Sequence, residues 1–365
     1  MNTHAAMEEF DNLQNQYFKL TELLARKQPC VIATVTETFG STPQKPGSSA
    51  IFNKKGLLDG TVGGGLIEHQ VQEKAKEAIT HKQSVYCNFD LNDDILQEES
   101  VICGGGMRIL IDASPEKHQP VFVALTESLN KRMAGVLVTK ASYISGGELN
   151  LERFWITTEI KEQENKAFDP EIALEIKQML KNSAARNIRK IETDKESFTF
   201  LEHLVPLPRL IIAGAGHIGK ALAHLGKLID FEVVVWDDRE DLANENNIPD
   251  ADMLLTGKLD DVFGKIKAGD DTYVVIVTRG HRQDAEVLKQ FIDSDAGYIG
   301  MIGSRKKVAQ VREHFLHKGW TTAARWEQIH APIGIDIHSK TVQEIALSIA
   351  AELVQERYKI NEKNG

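Results

Sequence analysis

The apolar run Leu210-Ile211-Ile212-Ala213 passes directly into Gly214-Ala215-Gly216-His217-Ile218-Gly219, and this junction constrains the chain more than any other stretch. Gly214 permits a tight turn and Gly216 lets backbone approach a pyrophosphate. Gly219 lets helix pack closely on strand, and the helix start near His217 offers N–H groups to anionic oxygens. A helical run over 220–229 and an apolar strand over 231–236 complete the unit. The strand ends in Asp237, about 20 residues past the glycines, where an acid commonly reads ribose hydroxyls. The pattern predicts a Rossmann-like, doubly wound parallel sheet of the dinucleotide-binding type. The plainer alternative is a buried strand and helix joined by a glycine turn, and what the unit binds is a separate question.

At 365 residues the chain exceeds the size at which one core usually keeps growing, so an α/β protein of two domains is expected. The extended, proline-stiffened stretch 204–208 is the natural linker. It gives an N-terminal α/β domain over 1–204 and a C-terminal Rossmann-like domain over 205–365. With 43 basic and 53 acidic residues the net charge is −10, which argues against general binding to nucleic acid or anionic membranes. Cys30, Cys87 and Cys103 are too few and scattered for a disulfide framework, and no zinc-ligand spacing occurs. Neither a signal peptide nor a membrane span is legible, so a reducing cytoplasm is the expected location.

Periodicity places a first helix over 8–27, strands over 30–36, 49–53 and 57–62, a helix over 66–79, and strands over 84–91 and 107–112. Beyond 120 the signal weakens, with helices over 121–131 and 170–181 and strands near 135–139 and 154–157. In the second domain, strands at 253–255, 273–278 and 298–302 and a last amphipathic helix over 343–355 continue the strand and helix alternation.

Several loops carry chemistry. Gly40-Ser41-Thr42-Pro43-Gln44-Lys45-Pro46-Gly47 is a rigid polar turn whose hydroxyls, Ser41 and Thr42, and free amides suit an oxyanion, though a proline-braced turn reads equally well. Gly63-Gly64-Gly65 opens the helix that holds Glu68, so a ligand can lie against backbone there. Cys103-Gly104-Gly105-Gly106 sets a thiol beside a glycine nest whose N–H groups favour thiolate, although a cysteine is more often a small buried hydrophobe. After a strand of the second domain, Thr278-Arg279-Gly280-His281-Arg282-Gln283-Asp284 brings polar groups to the edge where open α/β sheets bind ligands. His281 and Asp284 are the candidate acid/base groups there, against a solvated histidine and a helix-capping acid. Gly303-Ser304-Arg305 begins another helix, as an anion site or as a capped, solvated basic face.

Together these segments resemble the XdhC/CoxI family of xanthine dehydrogenase accessory factors. The stretches 40–47, 63–68 and 103–105 are similar to its N-terminal motifs. Those at 214–219, 278–284, 303–306 and 331–336 are similar to its C-terminal ones. No motif of the family is evident over 115–200. The resemblance implies a chaperone that binds molybdenum cofactor as cargo, supports its sulfuration, and delivers it to a xanthine dehydrogenase-type apoenzyme. It also implies a cysteine desulfurase as partner and a homodimer. A soft thiolate suits a sulfur-rich molybdenum centre, which makes Cys103 the candidate contact to molybdenum or its sulfur. Two departures stand out: Arg279 occupies a position where the family usually has histidine, and His338 one where a small residue is common.

Two other functions fit parts of the pattern. An NAD(P)-dependent oxidoreductase would use Gly214, Gly216, Gly219 and Asp237 for cofactor and His281 for proton transfer. Arg239, two positions after Asp237, leaves the ribose preference open. A nucleotide-responsive regulatory protein would use the same crevice without turnover. No complete catalytic constellation is visible in the sequence.

Overall fold

The computed structural model describes residues 16–90, 105–144, 147–158, 168–181, 187–194, 197–264 and 266–364. The chain divides into two compact units, Met1–Pro206 and Leu207–Gly365.

The first unit opens with α1 (Gln16–Ala25), followed by β1 (Val31–Gly40), β2 (Ser49–Asn53), β3 (Gly56–Gly60), α2 (Gly65–His81), β4 (Val85–Asp90) and β5 (Gly105–Asp112). These strands form one antiparallel sheet in the order β3-β2-β1-β5-β4. Alternation along β5 decides what covers each face. Met107, Ile109 and Ile111 join Val31, Ala33 and Val35 beneath the Ile67, Val71, Ala75 and Ala78 stripe of α2, while Leu110 points the other way.

The unit continues with α3 (Gln119–Asn130), β6 (Gly135–Ile144), β7 (Glu148–Thr157), α4 (Pro170–Lys181), β8 (Ile188–Asp194) and β9 (Ser197–Leu204). Their strands make a second antiparallel sheet, β7-β6-β9-β8. Leu110 meets it through Ala141, Phe198 and Phe200. On its other face α4 buries Ile172, Ile176 and Met179 against Val136 and Val138. The helices α1 and α3 pack Leu20, Leu24, Phe122 and Leu125 against Ile32 and Ile51 of the first sheet and Leu137 and Trp155 of the second.

The strands of the first sheet fall where periodicity places them, with β1 running four residues further, to Gly40. The strands β8 and β9 lie where the sequence reading has none. Nearly all of β9 is buried, Thr199, Glu202 and His203 included, so it shows neither alternation nor an unbroken apolar run. The Tyr17 hydroxyl donates to Glu202 at 2.8 Å, which makes that buried carboxylate tolerable. The expected linker begins one residue later than read, since Leu204 is the last residue of β9. The first half of the expected helix 8–27 lies outside the described residues.

The second unit contains β10 (Arg209–Ala213), α5 (His217–Leu228), β11 (Glu232–Trp236), β12 (Met253–Leu255), α6 (Leu259–Phe263), β13 (Thr272–Ile276), α7 (His281–Phe291), β14 (Tyr298–Met301), α8 (Arg305–His317), α9 (Ala323–Trp326) and α10 (Val342–Asn364). All five strands are parallel, in the order β12-β11-β10-β13-β14. Leu210 and Ile212 face α5 and α10. Ile211 and Ala213 face the side covered by α7, α8 and α9. The strand order reverses between β10 and β13, and a doubly wound sheet opens its ligand crevice beyond the strand ends at that point. Among the described residues no helix is long and apolar enough to cross a membrane.

Candidate functional site

In the second unit the glycine turn sits at the crevice between β10 and β13. Gly214 has φ +125°, and a Cβ there would lie 2.5 Å from the carbonyl oxygen of Val277, so the first loop presses against the chain leaving β13. A Cβ on Gly219 would lie 1.8 Å from the oxygen of Gly214, which enforces the close approach of α5 to its strand. Gly216 differs from both. It is the N-cap of α5, supplies no capping side chain, and faces open space within 4 Å of where a Cβ would be. Packing therefore explains two of the three glycines, while the third, Gly216, faces open space. His217, the first residue of α5, is exposed beside it.

Asp237, at the end of β11, is buried and held on every side. Its Oδ2 accepts the Ala215 N–H at 2.9 Å and Arg239 Nη2 at 3.0 Å, and its Oδ1 accepts Arg239 Nε at 2.9 Å and the Arg239 N–H at 3.1 Å. Burial alone would raise this carboxyl's proton affinity, but the Arg239 guanidinium and the two backbone N–H groups together hold it below the usual value. Its neighbour Asp238 is exposed and pairs with Arg279 at 3.0 Å. The guanidinium at the departing position 279 thus ties the loop after β13 to the loop after β11.

The structure separates His281 from Asp284. Asp284 is fully buried and accepts from the Thr278 N–H at 3.1 Å, the Thr278 hydroxyl at 2.6 Å and Lys307 Nζ at 2.9 Å, whereas His281 is exposed at the first position of α7. Of the two candidate acid/base groups, Asp284 instead forms a buried joint linking β13, α7 and α8. Ser304 caps α8 by accepting the Lys307 N–H at 3.3 Å, Arg305 is exposed, and Lys307 turns inward to Asp284. The capped-helix reading of that loop accounts for these contacts.

In the first unit the N-terminal motifs converge at one end of the first sheet. Gly40 pairs with Gly105 in the β1–β5 ladder. A Cβ on Gly105 would lie 2.4 Å from the oxygen of Phe39 and 2.5 Å from that of Ser41, so only glycine fits. A Cβ on Gly63 would lie 3.0 Å from Pro43 Cγ, which sets the start of α2 against the 40–47 turn. Gly64 and Gly65 have φ of +65° and +53° and nothing within 4 Å of a Cβ position, and α2 has no side-chain cap. Glu68 accepts the Thr61 hydroxyl at 2.9 Å, Thr42 spends its hydroxyl on the Gln44 carbonyl at 2.8 Å, and Ser41 is exposed. A cavity of about 370 Å³ opens beside these loops, lined among others by Gly40, Asn88, Asp90, Gly106 and Arg108. Cys103 and Gly104, immediately before β5, lie outside the described residues.

Of the other two thiols, Cys30 is buried in the core and Cys87 is half-buried against it. Burial pushes Cys30 up to about 11 and raises Cys87 as well. Among the described residues no group of three or more His, Cys, Asp or Glu is placed to hold a metal ion. His338 adopts φ +57°, the left-handed region that glycine enters most readily. Sequence reasoning missed the partners more than the residues: Lys307 is 23 positions from Asp284, and no local pattern links them. The same holds for Glu352, which accepts the Tyr298 hydroxyl at 2.5 Å and the Gly334 N–H at 2.7 Å and pairs with His330 at 3.1 Å.

Comparison with known proteins finds a match in each unit. A family model described as the XdhC Rossmann domain matches residues 210–353, and one described as the XdhC and CoxI family matches residues 23–90. The chain is 23% identical over 350 residues to a probable xanthine dehydrogenase subunit of Bacillus subtilis, covering 95% of this chain and 98% of that protein. It is 34% identical over 152 residues to the uncharacterized protein YqeB of Escherichia coli, a match spanning 40% of this chain and 27% of that one. Among solved structures it is similar to a xanthine dehydrogenase from Bacillus halodurans, with TM-score 0.72 and 25% identity over 93% of this chain and 95% of that one.

Proposed function

This chain belongs to the XdhC and CoxI family, and on that premise we propose that it is an accessory factor for a xanthine dehydrogenase-type molybdenum hydroxylase, holding molybdenum cofactor as cargo and handing it to the apoenzyme. The observation that carries this reading is the meeting of three glycine-bearing segments, 40–47, 63–65 and the Gly105-Gly106 start of β5, at one end of the first sheet. A pterin phosphate is an anion, and Gly64 and Gly65 at the uncapped start of α2 leave backbone N–H groups open to one. Cys103, two residues before Gly105, supplies the soft ligand type that molybdenum and its sulfur favour. Protection during sulfuration, a cysteine desulfurase partner, a second copy of this chain and a cytoplasmic setting belong to the same proposal.

The test is retention of molybdenum cofactor by the purified protein after ultrafiltration, read from pterin fluorescence after oxidation, with Cys103→Ser beside it. Near-stoichiometric retention that the variant loses supports the proposal; absence of retention by both overturns it.

A second reading attaches to the other unit. The open approach at Gly216 favours a dinucleotide in the β10–β13 crevice, as a ligand that regulates cargo handling or as a redox cofactor. For hydride chemistry the candidate acid/base partner of His281 is missing, because Asp284 is committed to Thr278 and Lys307. The regulatory version is therefore the better supported of the two.

A further inference from the structure

The position that takes ribose hydroxyls in a dinucleotide crevice is the acid closing the second strand. A carboxylate has about four lone-pair sites. On Asp237 four donors fill them: the Ala215 N–H, and the N–H, Nε and Nη2 of Arg239. With 3% of the residue exposed, Asp237 has no room to turn outward. A ribose diol reaching this corner finds every acceptor site of Asp237 taken.

What it meets are two cations. Arg239 keeps 33% of its side chain exposed and Arg279 keeps 57%, and both approach Asp238, at 3.9 Å and 3.0 Å. Asp238 is a surface carboxylate, and a surface pair is cheap to break. A phosphate dianion is a stronger partner for paired guanidinium groups than one exposed carboxylate. Beside this corner lies a cavity of about 430 Å³, lined among others by Trp236, Asp238, Gly257, Lys258 and Gln283, with room for a nucleobase.

We propose that the second unit selects a dinucleotide whose adenosine ribose carries a 2′-phosphate, the NADP class, over its unphosphorylated counterpart, with Arg239 and Arg279 as the specificity residues. This rests on the reading of the 214–219 turn as a dinucleotide site and is independent of the cargo reading. The phosphate displaces Asp238 from both guanidinium groups, and Asp237 serves as the anchor that aims Arg239.

The experiment is calorimetric titration of the full-length protein with NADP+, NAD+, adenosine 2′,5′-bisphosphate and inorganic phosphate. NADP+ is expected to bind at least about tenfold more tightly than NAD+, the difference one charge-assisted contact provides. Adenosine 2′,5′-bisphosphate should compete with NADP+, and inorganic phosphate should not at equal concentration. Arg279→Gln, which disturbs only a surface pair, should lower NADP+ affinity by about tenfold and leave NAD+ unchanged. Asp238→Asn should tighten NADP+ alone. Arg239→Gln is made together with Asp237→Asn so that no buried carboxylate is left uncompensated, and should also abolish the preference. Equal or tighter binding of NAD+, or a preference unchanged in Arg279→Gln, overturns the proposal. If the folded protein binds neither dinucleotide, the crevice reading fails and the proposal fails with it.

Discussion

Lys307, in the first turn of α8, places its ammonium 2.9 Å from the fully buried carboxylate of Asp284 in the first turn of α7. Two hydrogen bonds from Thr278 complete the carboxylate's shell. One ion pair thereby fixes the starts of two helices and the end of β13 around the same loop.

Removing one partner of such a pair leaves an uncompensated charge, so Lys307→Met should destabilise the protein by about 2–4 kcal/mol. Adding Asp284→Asn should recover much of that loss. Urea unfolding of both variants checks this, and an innocuous Lys307→Met would mean that the pair contributes little to the fold.

Gly216 and Gly219 should answer differently to one substitution. Gly219→Val places carbon against the Gly214 carbonyl and should cost about 3 kcal/mol or more, visible as a large drop in Tm. Gly216→Val meets open space, loses only the N-cap preference for glycine, and should cost no more than about 1 kcal/mol. If the crevice binds a dinucleotide, Gly216→Val should nonetheless eliminate that binding. Unchanged affinity would reduce the turn to a structural one.

Burial lowers the proton affinity of His118, and nearby Arg153 and Lys117 lower it further, against an opposing pull from Asp112 and the Leu151 carbonyl. The unfolded chain therefore takes up the proton first. Stability should be full above about pH 6.5, the ordinary imidazole value, and fall as pH drops below it, levelling off once the folded state is protonated too. His118→Gln should flatten the slope between about pH 7 and 5. A slope that survives the substitution would assign the effect to another group.

Cys30 is buried with its thiol pushed up to about 11, so at pH 8 only about one molecule in a thousand carries the thiolate there. Iodoacetamide should leave Cys30 unmodified in the native protein and label it on unfolding, as peptide mass spectrometry would show. Rapid native labelling would contradict the burial of α1 and α3 against β1.

The parts of the fold legible in the sequence are those where one local rule acts alone. Each glycine of the 214–219 turn announces its own constraint, and the α2 stripe Ile67, Val71, Ala75, Ala78 shows helical spacing because only one face is buried. β9 was not legible, since both its faces are covered and Thr199, Glu202 and His203 interrupt it. Asp237 was recognisable as the residue closing a strand, but its engagement by Arg239 was not, because an arginine two positions on reads equally well as solvated. The convergence of residues 40–47, 63–65 and 105 depends on antiparallel register across the sheet, which no spacing in the sequence encodes.

That register also governs how the first unit can assemble. β5 is the partner of both β1 and β4, and Gly40 waits for Gly105 to emerge before its ladder can close. A nascent chain stopped at Asp90 would hold two strands with a missing neighbour between them, exposing the unpaired backbone that invites aggregation. Closing so long a loop is also slow relative to forming hairpins. The segment 23–90 is thus not a module that could be moved between proteins. It travels with the chain through Asp112, and ribosome stalling or truncation inside that interval should yield insoluble product where a cut after Pro206 leaves the whole first unit intact.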